Sequence, residues 1–258
     1  MRTLYHSNRI LTLTGWFHVL LAVVLLLIYP FDSRTILGIS PWIKPIKFSV
    51  SIAIYVWTLA WYMRCLVDRE RTVQIISWGV AISMVAEITC IVMQSARGTT
   101  SHFNGATPFN AAVFILMGAM IGLNSVLVAW ALVLFFKSEL PIPPAYAWGI
   151  RCGILLFLLA GAEGGLMISH HSHTVGAKDG GVGLPFINWS REHGDLRVAH
   201  FLGMHALQVL PFAGFLLARS RRAESEQVRY ILGFALLYLV ATLVLTWMAL
   251  QGRPLVAL

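Results

Sequence analysis

The sequence predicts an all-α polytopic membrane protein, a single bundle of seven transmembrane helices, and two observations carry that prediction. Apolar residues make up 58% of the 258 positions and charged residues only 12%, about half the charge of a soluble domain. Apolar windows of about 20 residues, the length that crosses a bilayer core as a helix, recur from end to end. No stretch between them is long enough for a separate globular domain, so residues 1–258 read as one transmembrane domain.

The chain opens on a basic start, Arg2 and Arg9, followed by an apolar run from Ile10 to Pro30. That run is too long for the core of a signal peptide and no small-x-small cleavage site follows it, so it reads as a retained first span, about residues 10–29. Trp42 and the Lys44–Lys47 segment read as an interfacial anchor ahead of the second span, 46–66. The third span, 73–94, carries Glu87, and the fourth, 111–136, carries Asn124. The fifth, 145–168, carries Glu163. The sixth, 198–217, carries His205 and an internal Pro211, which predicts a kink or a freed carbonyl one turn earlier. The seventh, 228–250, holds Thr242 and Thr246, expected to make packing hydrogen bonds, and no lysine. A retinal protein of the usual Schiff-base kind is therefore excluded.

An odd number of spans puts the termini on opposite sides. Lysine and arginine crowd the short turns on the N-terminal side, as in Arg219–Arg222. The positive-inside rule then predicts a protein of the plasma (bacterial inner) membrane with a cytoplasmic N-terminus and the C-terminus outside. Topology thus accounts for the net charge of +8, and with no basic stripe interleaved with aromatics, no nucleic acid is expected as partner. The expected partners are the lipid bilayer and a lipid-like or small-molecule substrate. Cys65, Cys90 and Cys152 are widely spaced, form no CxxC pair, and read as packing residues.

Three longer loops fall on the outer side: 31–45, 95–110 and 170–197. The last is rich in glycine and holds His170, His171, His173 and His193. Long loops in compact proteins tend to be functional, which places the expected working face there.

Four polar residues lie inside the spans at matched depth. At 1.5 Å of rise per residue, Glu87, Glu163 and His205 are about 10–12 Å below the outer surface and His18 about 16 Å. A charge near the bilayer centre costs roughly 2.5–3.5 kcal/mol, so a chain that keeps such groups is expected to use them together. Two carboxylates and two imidazoles from four helices predict a divalent metal site, zinc or iron, with His18, His205, Glu163, Glu87 and His170 as ligands. The expected catalytic set is Glu87, Glu163, Arg97 and His200, in a membrane hydrolase or oxidoreductase. A haem b on His18 and His205 is one alternative, and a proton-coupled transporter or sensor driven by Glu87 or Glu163 is another.

Spacing supports an inward stripe on the third span, where Glu87, Cys90, Gln94 and Arg97 share one helical face. Glu163 and His170 share a face in the same way, and His205 and Gln208 are one turn apart. His200 and His205 are five residues apart, about 140° around a helix, and so do not share a face. His205 is expected to enter the buried layer and His200 to line its mouth, with Asp195 orienting an imidazole. Gln94, His102, Asn104, Asp195 and Gln208 are expected at the substrate rim. Arg97 is expected either to clamp an anion or to neutralise Glu87 or Glu163. The bland alternative is that such buried groups serve only as helix-to-helix hydrogen bonds. The general plan is similar to that of seven-span zinc hydrolases, whose motifs are not reproduced here, so the likeness implies no residue role.

Overall fold

A computed structural model describes residues 2–256. Among the described residues the helices are α1 Arg2–Ser7, α2 Arg9–Ile28, α3 Ile43–Met63, α4 Glu70–Ala96, α5 Pro108–Lys137, α6 Pro144–His170, α7 Leu196–Ala218 and α8 Glu224–Leu250. A two-residue ribbon, β1 Thr174–Val175 with β2 Gly194–Asp195, is the sheet among them. Seven of the helices are long and apolar enough to cross a membrane. The protein is thus an all-α integral membrane protein, and every expected span has its helix. Several helices outrun the apolar run that marks them. In α4, Glu70 joins the first turn, where a carboxylate favours the helix dipole, and the polar residues to Ala96 extend the last.

The chain divides into two compact units, Met1–Leu127 and Val128–Leu258. In the first, Asn8 caps α2 by accepting from the backbone N–H of Leu11 at 3.1 Å and donates to Ser77 Oγ of α4 at 2.7 Å. Gly15 lies directly under the Trp57 indole, which donates to the Thr12 carbonyl at 3.2 Å. A larger residue at 15 has no room. Tyr55 of α3 donates to Asn124 of α5 at 2.7 Å, so Asn124 is a packing hydrogen bond as expected. Arg34 reaches the carbonyl of Ala96 at 3.0 Å and Asp32 accepts from Trp42 at 2.8 Å, which ties the 29–42 connection to the end of α4.

The second unit is built on the α6–α7 pair. A Cβ at Gly149 would stand 2.7 Å from the Leu210 carbonyl, and one at Gly153 would stand 2.9 Å from that of Ala206. Small residues are what let two helix backbones approach this closely in a bilayer. α7 runs through Pro211 without interruption, and its ring lies against Gly153. Leu156, Ala206 and Leu210 pack together there, Ala235 joins them from α8, and Tyr238 donates to the Leu202 carbonyl at 2.7 Å.

The connection 171–195 reads in sequence as irregular, but it carries the β1–β2 ribbon, with Thr174 opposite Asp195 and Val175 opposite Gly194. Glycine and aspartate are poor strand formers, so the pattern gives no strand signal. The ribbon forms because Gly194 lets the backbone lie flat on the carbonyl of Ala249, where any Cβ would overlap.

Candidate functional site

In the first unit the expected stripe on α4 is buried from Glu87 to Gln94, whereas Arg97, at the C-cap, is exposed. Glu87, Cys90 and Gln94 are all buried. Glu87 is 2% exposed, and one carboxylate oxygen, Oε2, has no partner. The other, Oε1, faces His102 Nε2 at 3.8 Å. His102 comes from the connection between α4 and α5, and its Nδ1 lies 3.1 Å from Lys44 Nζ and 3.1 Å from Ser101 Oγ. An ammonium only donates, so Lys44 makes Nδ1 the acceptor and leaves the ring proton on Nε2, aimed at Glu87. The imidazole is held among the rings of Phe48, Phe103 and Phe114. Phe103 adopts a left-handed backbone conformation, φ 53°, an uncommon state for an aromatic residue that marks functional segments.

Arg97 does not neutralise a carboxylate in its hydrogen bonds. It donates to Gln94 Oε1 at 2.5 Å and to Asn110 Oδ1 at 2.8 Å, and it lies over the Phe109 ring. Gln94 also donates to Asn110, so Arg97 is locked by two amides that keep its charge without cancelling it. Asn104, expected at the substrate rim, braces its own loop by donating to Thr99 and Thr100 and accepting from the Ala106 N–H. The Arg34 guanidinium beside Asp32 holds that carboxyl well below the usual carboxylate range. His18 of α2 is fully buried. Its Nδ1 lies 2.7 Å from the Thr14 carbonyl and its Nε2 has no partner.

In the second unit Glu163 is 8% exposed. It accepts from the Thr246 hydroxyl of α8, a helix-to-helix hydrogen bond of the kind expected of Thr246, and Glu163 Oε2 has no partner. One turn away, the Ala160 carbonyl receives His200 Nδ1 at 2.8 Å. Gly203 makes this possible, since a Cβ there would stand 2.6 Å from that of Ala160. The expected order of the two α7 imidazoles is therefore reversed. His200 turns to α6, while His205 stacks on Phe201 at 4.2 Å, a ring that is itself half exposed. Gln208 is half-buried further along α7.

His170 is exposed at the last residue of α6, and the chain turns away at His171, φ 50°. Within the same tract His173 is the engaged member: its Nδ1 stands 2.6 Å from Asp179 Oδ2. Burial opposes ionisation of Asp179. Hydrogen bonds from the His173 side chain and backbone and from Ser172 outweigh it and hold the carboxyl well below the usual range. Asp195 orients no imidazole. It caps α7, pairs with Arg197 at 2.6 Å and accepts from the Ser190 N–H at 2.8 Å.

Among the described residues, no group of three or more His, Cys, Asp or Glu side chains gathers to hold a metal ion. What the geometry supplies instead is a pair of buried acids, each with one unpartnered oxygen. Glu87 faces an oriented imidazole that reaches back to a lysine. Lys44 was read in sequence as an interfacial anchor, and Asp179 gave no signal at all. A comparison with protein-family models finds no match, nor does one with characterised proteins or with solved structures. The class defined by fold and site is an integral membrane protein of seven helices in contact with the lipid bilayer.

Proposed function

We propose that this is a proton-responsive membrane protein, a transporter or sensor, in which Glu87 binds and releases a proton by way of His102. The observation that carries the reading is the Glu87–His102–Lys44 series, which runs from a buried span to the connection at the helix end. Intramembrane acids of this kind mark proton relays. Glu87 is faced by His102 from the loop, by Lys44 of α3 and by Cys90 on its own helix. A proton taken up at His102 Nδ1, in place of the hydrogen bond from Lys44, gives an imidazolium beside a carboxylate, and transfer of the Nε2 proton to Glu87 leaves both groups neutral. Either state can bias a helix packing with two arrangements. Glu163, held by Thr246, is the second proton-binding carboxyl. By the positive-inside rule the loops that hold His102 and His173 face away from the cytoplasm.

Infrared difference spectra of the reconstituted protein between acid and alkaline buffer test this. The expected result is a protonated-carboxyl band that titrates, is lost in Glu87→Gln and is altered in His102→Ala. Spectra that neither Glu87→Gln nor Glu163→Gln changes would discard the proposal.

A metal-centred enzyme remains the second reading, favoured by one observation. His18 donates its Nδ1 proton to the Thr14 carbonyl, which leaves the Nε2 lone pair buried and unpartnered, as in a ligating imidazole. Zinc or iron would bring hydrolytic or redox chemistry on a lipid-like substrate, and a haem b would bring electron transfer. Stoichiometric metal, or a haem spectrum, that disappears in His18→Ala would select this reading.

A further inference from the structure

Where α7 ends and α8 begins, far along both helices from Glu163, the second unit has an open groove of about 440 Å³ lined by Ala213, Leu217, Arg222, Tyr230 and Phe234. We infer that it binds one anionic phospholipid, with an acyl chain along Ala213, Leu217 and Phe234 and the phosphate at Arg222. The apolar walls lie on two helices long and apolar enough to span a membrane, which sets them where acyl chains are available. Arg222 stands at the groove's polar end, with Cζ 4.9 Å over the Tyr230 ring and Nη1 3.4 Å from its hydroxyl. Both side chains therefore present donors at one point where a headgroup would lie.

The turn is held in shape by Gln227, which donates to the carbonyls of Ser220 at 3.3 Å and Arg222 at 2.9 Å. Arg219, Arg221 and Arg229 lie close by in sequence, against Glu224 and Glu226 in the first turn of α8. The balance is cationic, and a basic residue set against the headgroup favours acidic lipid by about fivefold in affinity, an effect that falls off with distance. An acyl-lined groove that ends in a stacked arginine is complementary to a phospholipid rather than to a free ion, since phosphate alone would leave the apolar walls uncovered.

Native mass spectrometry of the full chain tests the inference. The protein is offered equal amounts of phosphatidylglycerol and phosphatidylcholine with the same acyl chains. The wild type is expected to retain phosphatidylglycerol preferentially, and Arg222→Gln to reduce that preference about fivefold. Arg221→Gln, which lies outside the lining, is expected to reduce it by less than Arg222→Gln does, and Ala213→Leu to lower occupancy by both lipids. Equal losses in Arg221→Gln and Arg222→Gln, or an unchanged preference in Arg222→Gln, overturn the assignment. Neither variant touches the proton-binding residues, so this result is independent of the proton reading.

Discussion

His102 directs its Nε2 at Glu87 Oε1 across 3.8 Å, while the other oxygen of the same carboxyl is buried without a partner. A carboxyl placed this way is a cost to the fold. An unsatisfied buried polar group is worth about 1–3 kcal/mol, and an apolar residue of similar volume often improves on it. Glu87→Met is therefore expected to stabilise the protein by about that amount while abolishing the proton response of the Glu87–His102 pair. Thermal unfolding in detergent measures it. A less stable Glu87→Met protein would mean that the pair with His102 is structural.

The spans were legible because nothing in about 20 residues interrupts them, and a helix is the only open-ended segment that satisfies its own backbone in lipid. The buried face of α4 was legible too, since steps of three and four fix which residues share a side, and Glu87, Cys90 and Gln94 do. The approach of His102 to Glu87 was not, because the return of the loop depends on the left-handed turn at Phe103 and the brace made by Asn104. On α7, the five-residue spacing separates His200 from His205 by angle but leaves the absolute rotation of the helix open. That rotation is set by Gly203 and Pro211 against α6, a packing relationship invisible to periodicity. Thr246 had no visible tie to Glu163 for a similar reason: the contact joins two helices 83 residues apart in sequence.

The glycines of α6 make a sharp contrast within one helix. A Cβ at Gly153 meets the Ala206 carbonyl at 2.9 Å, whereas one at Gly161 meets nothing within 4 Å. Gly153→Ala is expected to cost about 1–3 kcal/mol by overpacking the α6–α7 contact. Gly161→Ala is expected to gain about 0.5–1 kcal/mol from the lost backbone freedom of the unfolded chain. Thermal unfolding of the two variants side by side checks the order, and equal effects would remove the close approach from the argument.

Asp179 makes the 171–195 connection sensitive to acid. Its carboxyl is held below its ordinary value in the folded protein, so the unfolded loop binds more protons in acid and the contribution to stability falls as pH falls. That contribution is complete above the ordinary carboxylate value of about 4 and fades below it. Amide exchange at His173 and Thr174, whose N–H groups donate to Asp179, is expected to accelerate on acidification once corrected for intrinsic rates. Asp179→Asn keeps an oxygen that can accept but does not titrate, so protection of the same amides is expected to be independent of pH there. Protection that declines with acid equally in the variant would place the sensitivity elsewhere.

Asp195 anchors the start of α7 in three ways at once, and its variants separate them. One oxygen accepts from the Arg197 N–H at 3.0 Å, both accept from the Arg197 guanidinium, and one also takes the Ser190 N–H. The carboxylate is wholly buried, but 27% of the Arg197 side chain remains accessible. Asp195→Ala is therefore expected to cost on the order of 2–4 kcal/mol, somewhat less than breaking a fully buried pair. Asp195→Asn keeps one oxygen for the cap but loses the charge and puts an NH2 donor where an oxygen accepts from Ser190 and Arg197, so its cost should be smaller only by about the 1 kcal/mol of a capping bond. Arg197→Gln added to Asp195→Asn removes the stranded guanidinium, and the double variant should cost less than the two single costs combined. Thermal unfolding of the set measures the coupling. If the costs simply add, Arg197 and Asp195 act apart, and the β1–β2 ribbon rather than the ion pair holds α7 in place.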